Sequence, residues 1–278
     1  MRRHFVFPAD PLEPRAVDSY FAAQRDAFVA SDFTTSLVSD ATFESGAAPR
    51  GVPAGAIVVY RGWMIDERQY RNFAAAVERA GAVLLTSPEK YLLAHHLPNW
   101  YPLLANLTPE TIFFSPDADL STELRNVGWP SFFIKDWVKS LKTSAGSMIA
   151  DPTEAQRVVD DMRKFRGTIE GGLCVRRVER FRPDSERRSF VIDRQPFAPA
   201  GAEAPSIVHD VASRIDHPFF SVDVALNEEG ALRVVEIGDG QVSDPGGAST
   251  TSSRCGAKRA RYPREARTTR RRRRAASR

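Results

Sequence analysis

The sequence contains two cysteines, Cys174 and Cys255, among 278 residues. They cannot build the disulfide framework of a small secreted protein, and their spacing matches no cysteine-based metal motif. Long apolar runs are also missing, because stretches such as residues 56–60 are far shorter than the roughly 18 to 20 residues of a membrane span. Pro8 ends the brief apolar run of the N-terminus too early for a signal peptide. We therefore expect a cytoplasmic protein without a membrane-spanning helix.

The net charge of +4 hides a strong asymmetry along the chain. Residues 246–278 contain 12 Lys and Arg against one acid, Glu265, which leaves 27 basic and 34 acidic residues in 1–245. An acidic body has no general attraction for nucleic-acid phosphates, so nucleic-acid binding is expected only through the tail. Because residues 246–278 contain almost no large apolar side chain, we predict that this tail is disordered.

Residues 1–116 alternate strand-like and helix-like periodicity, which predicts a parallel sheet covered by helices. The helix around Tyr70 is the clearest, because apolar residues recur at helical spacing as far as Val77 and Gly81 then ends the pattern. The other predicted elements of this part are strands over 4–7, 57–60 and 82–85 and a helix over 15–30.

The pattern of residues 117–245 is different, because strands outnumber helices there. A helix is predicted after Asp151-Pro152-Thr153-Glu154, which has an N-cap acceptor, a proline at the first helical position and a glutamate at the third. Residues 227–230 form a good hairpin turn between the last two strands. The predicted strands are 131–135, 173–181, 187–193, 219–226 and 231–237, with a further helix over 206–215.

The final hairpin contains the most informative residues. Asp223 and Glu236 each interrupt an otherwise apolar strand, and a buried carboxylate is costly unless it is paired or binds a cation. Because the short turn places the two strands side by side, we expect the two acids to share a hard divalent ion such as magnesium, with Asp239 as a third oxygen ligand. The alternatives are exposure to solvent and pairing with Arg176, Arg188 or Arg233.

A second candidate site follows the strand that ends in Lys135. The next residues are rich in lysine, serine and glycine and include Lys142 and Gly146. Lysine ammonium groups and the N–H groups of a small-residue loop suit the oxygens of a triphosphate. The spacing matches neither the P-loop nor the dinucleotide fingerprint, so a polar surface loop is the alternative. Arg188, in an extended segment, is a further candidate for phosphate contact.

Two weaker candidates lie in the N-terminal part. His95 and His96 could be metal ligands or acid–base groups, but adjacent histidines point apart on a helix and the sequence shows no third ligand, so we expect no metal site there. Arg61 directly follows a predicted strand, at a position where parallel-sheet proteins place binding residues. Substrate contact by Arg61 is therefore a hypothesis, with packing at a helix start as the alternative.

In order and spacing, these features resemble the ATP-grasp superfamily, and in particular a compact bacterial clade whose substrates are largely unassigned. The resemblance covers about residues 1–244 and is most specific in Asp223 and in residues 234–240, Val-Val-Glu-Ile-Gly-Asp-Gly. It implies an α/β and α+β fold with an N-terminal Rossmann-like pre-ATP-grasp domain over 1–116 and a two-lobed ATP-grasp domain over 117–245. The disordered Arg-rich tail would follow over 246–278.

The resemblance also implies ATP and Mg²⁺ as cofactors and a role for each matching residue. The reaction would activate a small-molecule carboxylate as an acyl phosphate for attack by an amine or thiol. Lys135 and Lys142 would contact the phosphates, Gly146 would lie in the loop that closes over them, and Arg188 would approach the γ-phosphate. Lys135 and Arg188 would thus be catalytic, Val175, Arg176 and Val178 would form the hinge that meets the adenine, and Asp223 and Glu236 would hold the metal.

Three other functions are open: a phosphotransferase that uses the same ATP site, nucleic-acid binding through the tail, and an inactive ATP-grasp relative. Two departures from the family matter here. Gly238 stands where the family commonly has asparagine. After Asp244 the sequence no longer resembles the family, and our hypothesis is that a reading-frame change or a replaced C-terminus removed the closing segment.

Overall fold

The structure is a computed structural model that describes residues 2–138, 147–166 and 169–244. It contains three four-stranded sheets. Lys142 and Gly146, and the tail for which disorder was predicted, lie outside the described residues. In the described part of the chain, no helix combines the length and the apolar character that crossing a membrane requires.

The first sheet is parallel, as the alternating pattern of the N-terminal part predicted. Its order is β2-β1-β3-β4. The central strand β1 is buried on both faces, since Phe5, Val6 and Phe7 are all core residues, which is typical of a parallel sheet covered by helices. The strands are β1 (Arg3–Pro8), β2 (Thr34–Val38), β3 (Ile57–Tyr60) and β4 (Val83–Leu84).

The helices of this part are α1 (Ala22–Ala30), α2 (Asp40–Ser45) and α3 (Glu67–Arg79). A capping box starts α3, because the Asp66 carboxylate accepts from Gln69 N and the Gln69 side chain accepts from Asp66 N. The helix predicted over 15–30 is too long at its start. Val17 forms a β-bridge with Ala9, and Asp18 N donates to Pro8 O. Val17 and Asp18 therefore lie beside the end of β1 and are not part of the helix.

Two short helices, α4 (Pro88–His95) and α5 (Leu97–Leu104), connect the first sheet to the other two. Tyr91 of α4 packs in the core of the first sheet. Leu97, Trp100 and Leu104 of α5 pack in the core of the third sheet. The pair therefore bridges two cores, and the break between the helices lies at His96.

The second sheet is antiparallel, with the order β5-β8-β6-β7. It consists of β5 (Thr111–Phe114), β6 (Phe132–Asp136), β7 (Met148–Ile149) and β8 (Leu173–Arg177), and α6 (Leu120–Glu123) and α7 (Ala155–Arg166) complete this region. Ile134 and Val175 share a core with Val158 and Val159 of α7. Since β5 pairs with β8, the predicted domain boundary after residue 116 would separate β5 from its own sheet.

The third sheet is antiparallel as well, with the order β10-β9-β11-β12. Its strands are β9 (Arg187–Ile192), β10 (Gln195–Phe197), β11 (Phe219–Leu226) and β12 (Leu232–Asp239), and α8 (Ser206–Arg214) packs on one face. The hairpin between β11 and β12 turns at Asn227, whose side chain accepts from Ala231 N, and Gly230 adopts a φ of 90°. This turn is the one that the sequence predicted.

Candidate functional site

Three charged residues lie side by side on adjacent strands of the third sheet. Asp223 of β11 is opposite Arg188 of β9 and opposite Glu236 of β12. Directly opposite residues of antiparallel strands point to the same face, with Cβ atoms about 4.5 to 5.5 Å apart. The neighbouring residues Val222 and Val224 join the core that contains α8. The three charged side chains therefore share the opposite face.

A β-bulge in β12 places Glu236 on this face. Asp223 pairs with Glu236, whereas Val224 pairs with Val234, so Val235 is the extra residue of the bulge. Val234 and Ile237 both join the core, although they are three residues apart. Strict alternation would have put Val234 and Glu236 on the same face. The bulge thus lets β12 bury its valine and still present its glutamate beside Asp223.

Arg188 binds Asp223 through two parallel hydrogen bonds. Its Nε donates to Oδ1 at 2.7 Å and its Nη2 donates to Oδ2 at 2.6 Å. Such a bidentate, charge-assisted pair is among the strongest hydrogen-bonded arrangements of protein side chains. Asp223 is 4% exposed, and its hydrogen bonds raise the pKa of Arg188 above the usual arginine value.

The second sheet supplies the cation for Glu236. Lys135 of β6 donates from Nζ to Oε1 of Glu236 at 2.9 Å, and Lys135 is only 5% exposed. Lys135, Glu236, Asp223 and Arg188 form what we call the charge row, in which two neighbouring carboxylates are flanked by two cations. Each cation reduces the repulsion between the carboxylates, which is strong in a site with little water.

The structure thus brings together four of the residues that the sequence singled out. It also shows the pairing with Arg188 that the sequence left as an alternative, so the acids are both adjacent to each other and paired with cations. Asp239 lies three residues after Glu236 in β12 and is opposite Phe220, so its side chain is on the other face of the sheet. The expectation that Asp239 is a third metal ligand is therefore wrong in this structure.

Asp239 is completely buried and has other partners. Its Oδ1 accepts from Gln241 N at 2.8 Å. Its Oδ2 lies 3.2 Å from His217 Nε2, without the alignment of a hydrogen bond. Asp239 therefore stabilises the turn that ends β12, and no feature of the sequence distinguishes this role from metal binding.

The side chains of the predicted hinge residues Val175 and Arg176 are buried and make contacts within the protein. Val175 is buried against α7, and Val178 N donates to Ser131 O. Arg176 is buried on the other face of β8, where it donates to the carbonyl of Val235 at 2.8 Å and to Thr108 Oγ1 at 2.6 Å. Burial lowers the pKa of Arg176. Arg176 thus binds the carbonyl of the bulge residue and joins the second sheet to the third.

The side chain of Arg61 is also used for contacts within the protein. It is buried, its Nη2 donates to Ser243 O at 3.1 Å, its Nε donates to Gln24 Oε1 at 3.0 Å, and its Nη1 donates to Gly240 O. Burial lowers the pKa of this guanidinium. The structure therefore assigns Arg61 to holding the segment after β12 against the end of β3, and the hypothesis of substrate contact has no support from its geometry.

Replacing Arg61 with alanine is expected to destabilise the protein by several kcal/mol. The carbonyls of Gly240 and Ser243 would lose their donor, and each buried unsatisfied group costs roughly 1 to 3 kcal/mol. Urea unfolding of Arg61→Ala and of the exposed control Arg50→Ala would measure this effect. Equal free energies of unfolding for the two variants would contradict the structural role.

The family profile described as ATP-grasp domain, R2K clade family 3, matches residues 121–258. This range contains the whole charge row. It also continues beyond Asp244, where we expected the resemblance to end. A search of curated protein sequences found no match.

Solved structures show the same mixed α/β fold. An ATP-grasp RimK domain protein from Sphaerobacter thermophilus DSM 20745 is 19% identical, with a TM-score of 0.57 over 87% of this chain and 92% of that chain. The D-cycloserine synthetase DcsG is 16% identical, with a TM-score of 0.59 over 85% and 91%. The ATP-grasp ligase PsnB, solved with minimal precursor, Mg and ADP, is 14% identical, with a TM-score of 0.54 over 85% and 89%.

Proposed function

We propose that the chain is an ATP- and Mg²⁺-dependent ligase that activates a carboxylate for attack by an amine or thiol, because residues 121–258 match an ATP-grasp family profile and solved ATP-grasp proteins share its fold. One observation carries this proposal above the others. Asp223 and Glu236 lie directly opposite each other on one face of a sheet, and each is paired with a cation. A sheet that only needed stability would gain more from apolar residues at these positions.

The donor set of the charge row fits Mg²⁺. Mg²⁺ prefers carboxylate and phosphate oxygens, and proteins usually bind it through one or two carboxylates together with substrate phosphates. Asp223 and Glu236 would hold the ion. When bound, MgATP supplies the phosphoryl group that activates the substrate carboxylate.

The two cations of the charge row have a second role in this proposal. Lys135 and Arg188 neutralise the carboxylates in the structure described here. With Mg²⁺ held by the two carboxylates, Lys135 from the second sheet and Arg188 from the third would be available to contact phosphate oxygens. Such positioning and charge neutralisation is how proteins accelerate phosphoryl transfer. We propose Lys135 and Arg188 as the catalytic residues for this reason.

The remaining nucleotide contacts are proposed from the family resemblance. Lys142 and Gly146 would contribute to the phosphate site from residues 139–146. The adenine would meet the hinge through backbone groups near Val178, because the side chains of Val175 and Arg176 are already used in packing. Arg176 would therefore act on the site through the backbone of Val235.

The proposed reaction has two steps. The substrate carboxylate oxygen attacks the γ-phosphorus, which forms an acyl phosphate and releases ADP. The amine or thiol then attacks the acyl carbon, which expels inorganic phosphate, and the nucleophile loses a proton to give the amide or thioester. The similar proteins include a D-cycloserine synthetase and a ligase solved with a precursor peptide, so both small acids and peptide carboxylates belong in a substrate screen.

Calorimetry of ATP binding with and without Mg²⁺ tests the first part of the proposal, and ADP and phosphate release with pairs of acids and nucleophiles tests the second. We expect binding that requires Mg²⁺ and product formation that requires both substrates. A phosphorylated product that accumulates without any nucleophile would favour the phosphotransferase alternative. Failure to bind ATP in the presence of Mg²⁺ would contradict the proposal. Nucleic-acid binding through residues 246–278 stays a prediction from composition.

A further inference from the structure

A cluster of two histidines and one glutamate lies where α4, α5 and the start of β8 meet. His95 is the last residue of α4, His96 separates α4 from α5, and Glu170 precedes β8. The Glu170 Oε1 atom is 3.2 Å from His96 Nε2 and 3.9 Å from His95 Nε2. The three candidate ligand atoms lie within 4.8 Å of one another, and the described ranges contain no other group of three such residues.

The two adjacent imidazoles converge because the helix ends between them. On a continuous helix, successive side chains are about 100° apart. His96 instead has an extended backbone, with φ −101° and ψ 120°, and its ring lies with its centroid 5.4 Å from that of His95. The expectation that the two side chains point apart is therefore wrong, and Glu170, which is 74 positions beyond His96, supplies the third group that the sequence did not reveal.

Aromatic packing fixes both imidazoles. The ring of His95 stacks on Tyr91 with centroids 4.8 Å apart, and the ring of His96 packs against Trp137 at 5.8 Å. The side chains of His95 and His96 are 3% and 7% exposed, whereas Glu170 is 32% exposed. The two imidazoles are thus buried and fixed in position, while the carboxylate of Glu170 reaches solvent.

We propose that His95, His96 and Glu170 bind a divalent first-row transition ion, with Zn²⁺ as the best match. Two imidazoles and one carboxylate are a common zinc ligand set, in which a water molecule or substrate takes the fourth position. Tetrahedral bonds of about 2.0 to 2.1 Å place ligand atoms roughly 3.3 Å apart. The 3.2 Å separation between Glu170 and His96 is close to that value, whereas the 3.9 Å separation between Glu170 and His95 would shorten when an ion binds. Glu170 is partly exposed, so an ion from solution can reach its carboxylate.

This site is chemically distinct from the charge row. Imidazole nitrogens suit zinc, copper, nickel and iron, whereas Mg²⁺ prefers sites made only of oxygens. The ion would join the helix pair α4–α5 to the start of β8. The inference does not depend on the proposed ligase activity.

Zinc titration of the full chain by calorimetry, in excess Mg²⁺, tests the proposal. The titration uses a Cys255→Ser background, which removes the tail thiol as a competing ligand. We expect one Zn²⁺ per chain, and at least about a tenfold weaker affinity in His96→Gln and in Glu170→Gln. The matched control is His209→Gln, which removes an exposed imidazole on α8 and should leave the affinity unchanged.

A second measurement needs no substitution in the cluster. Co²⁺ added to the same protein should give the intense visible absorption of a four-coordinate site, and added Zn²⁺ should remove that absorption. Absence of Zn²⁺ binding, or equal affinity in His96→Gln, Glu170→Gln and the control, would overturn the proposal. A weak visible absorption, typical of six-coordinate Co²⁺, would overturn the assignment of a tetrahedral site.

Discussion

Asp223→Asn and Glu236→Gln are each expected to abolish Mg²⁺-dependent ATP binding and to lower the ligase rate by about 10² to 10³-fold. That magnitude is typical for the loss of one preorganised electrostatic group from an active site. Each variant keeps the shape of the side chain but replaces one carboxylate oxygen with an amide NH2 group and removes the charge that would hold the metal ion. Calorimetry with ATP in the presence and absence of Mg²⁺ would measure the first effect, and ADP release the second.

The hairpin provides a matched control for this experiment. Glu229 lies in the exposed turn between β11 and β12, so Glu229→Gln removes the same charge from the same hairpin without touching the charge row. Its ATP binding should equal that of the unsubstituted protein. If Asp223→Asn and Glu236→Gln also retained full Mg²⁺-dependent binding while folded, the charge row would not be the metal site.

Arg188→Met is expected to reduce the free energy of unfolding by about 3 to 5 kcal/mol. This is the usual cost of removing one partner from a buried ion pair, because the remaining carboxylate loses its compensating charge. Asp223 would stay buried without its two hydrogen bonds from Arg188. Urea unfolding at constant pH would measure the loss.

A double-mutant cycle identifies the cause of that loss. Arg188→Met combined with Asp223→Leu removes both charges, so the double variant should be more stable than Arg188→Met alone. Arg187→Met is the matched control, because Arg187 is exposed and donates only to nearby carbonyls in the described structure. Equal destabilisation by Arg187→Met and Arg188→Met would show that the pair with Asp223 contributes little.

Much of the local structure was predictable because its signals are local. The apolar spacing around Tyr70 and its stop at Gly81 predicted α3, and residues 227–230 predicted the turn of the final hairpin. The short strand β5 was missed, because four residues contain too little pattern and its partner β8 lies far along the chain. The start of α1 was placed too early, because residues that suit a helix are held instead beside β1.

The sequence by itself determined that Asp223 and Glu236 lie on neighbouring strands, because a tight turn leaves two antiparallel strands no other arrangement. Only the tertiary structure decided the rest of the charge row. Lys135 reaches Glu236 from 101 positions away, and the bulge at Val235 selects the face on which Glu236 lies. The same holds for Glu170 beside the two histidines. A turn is encoded by a few adjacent residues, whereas contacts between distant strands and helices depend on how whole sheets pack.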